Sequence, residues 1–206
     1  MAQGVNTIEG ATPATDFDIE LMLRVKDGDE DSFGILLDKH RNPLVYFLYR
    51  MVQDQAVAEE LAQEVFLRIY RSRASYEPTA KFTTWLFRIA THLALNSLRD
   101  GKNDRKQERL DQERDDEMPV RQLADKNPSV EQSMVYQATL QEVRTAIAAL
   151  PEKQRAAVLM HKYEEMDYSQ IAKALESSES AVKSLLFRAY ETLRSKLAHM
   201  SAGVTK

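Results

Sequence analysis

SQIAKALESSESAVKSLLFRAYETLRSKL, residues 169–197, is the stretch on which the reading of the chain turns. Ile171 and Leu175 stand at helical spacing, three small or polar residues follow, and a longer helical period then runs through Ala181, Val182, Leu185, Leu186, Ala189, Leu193 and Leu197. A short helix, a turn and a longer basic helix is the pattern of a helix-turn-helix. Ala172 supplies the small residue where the second helix crosses closely, and Ser178 is suited to cap that helix. Four residues after the small residue the turn favours positive φ, the natural place for glycine. Glu176 stands there instead, at a penalty of about 1 kcal/mol. Opposite the apolar face lie Ser180, Lys183, Ser184, Phe187, Arg188, Glu191 and Arg194. Charges suit any exposed helix face, but Phe187 does not. It can touch thymine methyls on DNA or rest on a neighbouring helix. The stretch therefore reads either as a DNA reader or as a hairpin of packed helices.

A DNA reader sits oddly in an acidic chain, with a formal net charge of -4 over 206 residues. The charge is unevenly spread. Residues 9–64 carry 13 acids against 5 bases, and residues 65–99 carry 6 bases against 1 acid. Residues 100–131 are acidic again, and residues 179–206 carry 5 bases against 2 acids. Blocks of alternating sign point to separate partners rather than one uniform surface.

Other classes fall away. No apolar run approaches 18 residues, so no membrane insertion is expected, and the first residues lack the pattern of a secretory signal. There is no cysteine, and the four histidines have no ligand spacing, so no metal or cofactor is expected and a reducing cytoplasm is the expected compartment. With no phosphate-binding glycine loop and no nucleophile–base motif, an enzyme is the least favoured class.

Helical periodicity dominates the rest. Phe17, Leu21 and Val25 mark a first helix ending near Gly28. Ser32 is expected to cap a second, which Pro43 should bend or split. A third spans residues 56–72, a loop covers 73–82, and a fourth runs from Thr83 to about Arg99 with Trp85, Ile89 and Leu93 in register. Residues 101–131 are rich in charge and poor in large apolar groups, the composition of a linker. Leu140, Val143 and Ile147 then restart the helical period, and Pro151 opens another helix. The expected fold is all-α, with two small helical domains at 17–100 and 132–199 joined by a charged flexible linker at 101–131. Tails occupy 1–16 and 200–206.

Three motifs in order carry a family resemblance. Leu150 to Leu197, with Leu150-Pro151, Tyr168-Ser169, Ile171-Ala172, Ala181-Val182-Lys183-Ser184 and Phe187-Arg188-Ala189, resembles region 4 of the extracytoplasmic-function branch of sigma-70-type RNA polymerase sigma factors, the helix-turn-helix that binds the promoter −35 element. AVAEELAQEVFLRIYR, residues 56–71, resembles the core-polymerase-binding helix of region 2 in that family. KFTTWLFRIATHLALNSLRD, residues 81–100, resembles its −10 melting and reading helix. The departures are Glu176 for the turn glycine, Leu61-Ala62 before the glutamine, and Tyr190 where arginine is frequent.

The resemblance implies a transcription initiation factor that binds core RNA polymerase through its β′ and β subunits. It would direct the polymerase to promoter DNA, help melt the −10 element, and be held inactive by an anti-sigma factor. Glu60, Gln63, Glu64 and Phe66 would belong to the segment that docks on the β′ coiled coil, although Phe66 also suits the core. Tyr76, Lys81, Phe82, Arg88, Asn96 and Arg99 would hold −10 DNA, with aromatics for a flipped base and cations for phosphates. Trp85 is tempting as a stacking platform, but its four-residue register with Ile89 and Leu93 favours the core. Arg155, Lys173, Ser180, Lys183, Ser184, Phe187 and Arg188 would meet the −35 element. Two other readings remain open here: a stand-alone helix-turn-helix regulator, which leaves the first 100 residues without a task, and a sigma-like decoy that only binds protein.

Overall fold

The computed structural model describes residues 16–104 and 130–199. The expected tails at 1–16 and 200–206, Asp16 apart, and most of the expected linker at 101–131 lie outside the described residues. Among those described there are eight α-helices, one 3-10 turn and no strand, and no helix is long and apolar enough to cross a membrane.

Helix α1 spans Phe17–Lys26 and starts at Asp16, whose side chain accepts from the Asp18 N–H. Phe17 is exposed, contrary to the expected apolar face, and Asp18 is buried instead. A buried carboxylate needs partners. Lys39 Nζ donates to Asp18 Oδ1 at 2.6 Å, and His40 Nε2 lies 2.9 Å from Oδ2. Burial holds the His40 imidazole below its ordinary pKa of 6.5, outweighing the pull of Asp18. The folded chain thus resists a proton that the unfolded chain accepts, so this stability is present above pH 6.5 and declines as pH falls below it. Urea unfolding of His40→Gln should give a shallower loss between pH 7.5 and 5.5 than wild type; equal slopes would remove His40 from the account.

Helix α2 spans Glu30–Val52. Its cap is Asp29, not Ser32: the carboxylate accepts from both the N–H and the hydroxyl of Ser32. Pro43 does not split the helix. Its missing N–H frees the Lys39 carbonyl, but Pro43 and Lys39 are exposed, where water replaces the lost bond. The helix ends at Gln53, in the left-handed conformation with φ 61°, whose N–H and side-chain amide donate to the carbonyls of Tyr49 and Arg50. Asp54 immediately caps α3, Gln55–Arg71, so the two helices form a tight hairpin. Ala58, Ala62, Val65, Phe66 and Ile69 give α3 its buried face. A 3-10 turn at Arg73–Ser75 leads to α4, Phe82–Asp104, which buries Phe82, Leu86, Phe87, Ala90 and Ala94.

The second half begins with α5, Val130–Ala148, and α6, Glu152–Tyr163, entered through Pro151. Helix α7, Tyr168–Ala174, starts with a reciprocal capping box between Asp167 and Gln170. Helix α8, Glu179–Lys196, is capped by Ser178, which accepts from the Ala181 N–H. Ile171, Ala172, Val182, Leu186 and Ala189 are buried, as the helix-turn-helix pattern requires. Glu176 takes φ 49°, the positive value expected of the turn.

The two halves share one connected cluster of buried apolar side chains. Helix α7 packs on α4, α6 on α2 and α4, and α5 on α2. Polar groups pin this seam. The Arg50 guanidinium stacks 4.1 Å over the Tyr163 ring. Arg155 reaches from α6 to the Met51 carbonyl at the end of α2, and also donates to the carbonyls of Ala148 and Leu150.

Candidate nucleic-acid interface and docking groove

The α2–α3 hairpin does not close over its own apolar surface. Phe33, Leu37 and Val45 of α2 and Gln63, Phe66 and Leu67 of α3 line a groove of about 510 Å³. Phe33 meets Phe66 edge-on at 6.4 Å and Tyr70 at 5.0 Å, which bridges the two helices. Phe66 belongs to both core and groove: it is 6% exposed yet contributes to the lining. Leu67 forms the rim at 41% exposure. Of the four residues expected on this surface, Gln63 and Phe66 line the groove. Glu60 is exposed outside the lining, and Glu64 accepts from Arg68 Nε at 2.6 Å. Phe33 and Leu67 were missed, although Leu67 beside Phe66 leaves one more apolar residue than a single buried face needs.

The basic face is built by α3 and α4. Arg68, Arg71, Arg88 and His92, with Ser72, line a second pocket of about 510 Å³. Lys81 is exposed near the start of α4, and Arg99 donates to Asn96 Oδ1 at 2.9 Å toward its other end. Guanidinium groups on one face suit phosphates, and the Asn96–Arg99 pair presents fixed donors.

Tyr76 and Phe82, expected at the −10 surface, are buried. Phe82 is fully buried, packed on His40 at 5.3 Å and Trp85 at 6.1 Å. Tyr76 packs at a tilt against Trp85, with ring centroids 5.0 Å apart, and burial pushes its hydroxyl pKa up to about 12. In this conformation neither offers a ring face to a flipped base, because both rings fill the core between α1, α2 and α4. Trp85 is half-buried among them, in keeping with its register.

On α8, Ser180, Lys183, Ser184, Phe187 and Arg188 form one exposed stripe at three- and four-residue spacing. Lys173 is exposed on α7. Phe187 is 68% exposed, which leaves most of its ring open to an outside surface. The hydroxyls are partly engaged: Ser180 with Ser178 at 3.0 Å, and Ser184 with the Ser180 carbonyl at 3.1 Å. Arg155 does not join the stripe. It is 9% exposed, and its three carbonyl partners hold it inside the seam. Tyr190 replaces the frequent arginine with a packing contact, its hydroxyl 2.8 Å from His161 Nδ1.

The chain is similar to known proteins. Residues 36–104 match the family Sigma-70 region 2, and residues 140–193 match Sigma-70, region 4. The chain is 28% identical over 184 residues to the ECF RNA polymerase sigma factor SigW of Bacillus subtilis, covering 87% of this chain and 98% of that one. It is 31% identical to the RNA polymerase sigma factor CarQ of Myxococcus xanthus, over 90% of this chain and all of the relative. Among solved structures, CnrH in complex with the cytosolic domain of CnrY superposes with a TM-score of 0.66 at 18% identity, over 89% of this chain and 99% of that one. RpoE with the anti-sigma factor NepR from Bartonella quintana gives 0.64 at 19% identity, over 84% and 98%.

Proposed function

The chain belongs to the extracytoplasmic-function branch of the sigma-70 family, and from that premise we propose how its surfaces divide the work of a sigma factor. It directs RNA polymerase to specific promoters. The observation that carries the division is the open α2–α3 groove, an apolar docking surface on the acidic half of a chain whose basic faces lie elsewhere. The groove takes a helical element of core polymerase, the β′ coiled coil, with Gln63, Phe66 and Leu67 in contact. Glu60 and Glu64 flank it and set encounter and register more than affinity.

Lys81, Arg88, Asn96 and Arg99 hold the −10 strand and support melting. Lys173, Ser180, Lys183, Ser184, Phe187 and Arg188 meet the −35 element, the cations on phosphates and the aromatic on a base or sugar. Residues 17–100 and 132–199 form the two working domains. Nucleotidyl transfer belongs to the polymerase, so this chain has no catalytic step of its own, and it acts in the cytoplasm where the polymerase is. The likeness to a sigma factor captured with NepR makes an anti-sigma factor the expected regulator.

Gel filtration with core polymerase, followed by sequencing of transcripts made in vitro, tests the reading. Tight promoter binding without co-elution would support a stand-alone regulator instead. Within that assay, Arg188→Glu should reduce promoter-specific transcription about tenfold, because reversing one phosphate contact removes an attraction and adds a repulsion. Core binding should be unchanged, since Arg188 is exposed on α8, away from the groove. A parallel loss of core binding would make the helix structural rather than DNA-reading.

A further inference from the structure

We propose that Glu176 is an intramolecular stand-in for a DNA phosphate, and that its contact with α4 helps hold the free chain closed over its own −10 surface. The proposal rests on the reading of the basic α3–α4 face as that surface. Arg68, Arg71, Arg88, His92 and Ser72 line the pocket there, and Glu176 reaches into the same pocket from the turn of the helix-turn-helix. Its Oε1 lies 3.4 Å from Arg88 Nε. A carboxylate and a phosphodiester present the same chemistry to a guanidinium: oxygens sharing negative charge, positioned for charge-assisted hydrogen bonds.

Two further observations give the contact meaning. Residue 176 has φ 49°, a conformation that glycine adopts with less strain. A glycine there could offer no charge to α4. The packing of α7 on α4 also carries the turn to this face. Lys183, Phe187 and Arg188 remain exposed meanwhile. The closed chain therefore presents its −35 stripe and covers part of its −10 surface. Both partners of the pair are more than half exposed, so the latch is weak and salt-sensitive, and a docking partner can open it.

The chain has no cysteine, so cysteines introduced at the exposed positions Asp38 and Ser195, one in each half, accept a donor and an acceptor dye without background. Glu176→Gln should shift the inter-dye distance outward. It should also tighten binding of a mixed-sequence single-stranded oligonucleotide about two- to fivefold at low salt, the scale of one exposed ion pair. Glu176→Gly should do the same while relieving backbone strain, which separates opening from loss of folding. Glu176→Arg should open the chain, and adding Arg88→Glu should restore the closed distance. Unchanged distance and affinity in both Glu176→Gln and Glu176→Gly, with polymerase-dependent transcription intact, would overturn the latch and leave the sigma reading standing. A wild-type chain that supports no polymerase-dependent transcription would overturn that reading, and the latch with it.

Discussion

Arg155→Ala is expected to destabilise the protein by about 3 kcal/mol, the scale set by leaving several buried carbonyls without a donor. The Met51, Ala148 and Leu150 carbonyls converge on one guanidinium that is 9% exposed. Burial depresses the Arg155 pKa, with the Glu152 charge opposing it, and the carbonyl dipoles hold the cation in place. Removing it opens a cavity and strands those dipoles together. A chain of this size should lose about 6–10 °C in melting temperature. Arg155→Lys should recover only part of the loss, because one ammonium cannot span three diverging acceptors. The salt dependence of promoter binding should stay as in wild type. A change in that dependence without a change in melting would return Arg155 to the DNA-contact set.

The second large effect is expected at Leu67. Leu67→Glu places a charge on the rim of the apolar groove, where a docked partner would desolvate it without a counter-charge. Binding to core polymerase should weaken about 30-fold or more, equivalent to about 2 kcal/mol, the scale of an interface hot spot. Melting should hardly move, since the side chain is already 41% exposed. Phe66→Ala cannot make this distinction, because Phe66 is 6% exposed and supports the core as well as the groove. Normal co-elution of Leu67→Glu with core polymerase would place the docking surface elsewhere.

What could be read from the sequence was local. The helices follow from apolar spacing, and Ser178 and the positive φ at residue 176 follow from turn chemistry. The exposed stripe from Ser180 to Arg188 follows from helical geometry alone. Errors arose where two candidates stood close together: Asp29 and Ser32 are both good caps, and only geometry shows which accepts and which donates. Placement was least legible where the deciding contact is remote in sequence. The Arg155 partner in α2 lies 104 residues away, and nothing around Arg155 distinguishes it from a surface cation. Tyr76 and Phe82 flank a polar, proline-containing loop that is itself exposed, and nothing near them in sequence shows that packing buries both flanking rings. The groove was half legible, because an apolar residue beside a buried face signals a partner without showing the shape that receives it.

Two of the contacts in the seam between the halves answer differently to the surroundings. The apolar cluster adheres through burial, which weakens on cooling. The Arg88–Glu176 pair adheres through charge, which dissolved ions screen. Cold and ionic strength therefore loosen the same closure by separate routes. The readiness of the free chain to open is set by its physical climate before any partner arrives.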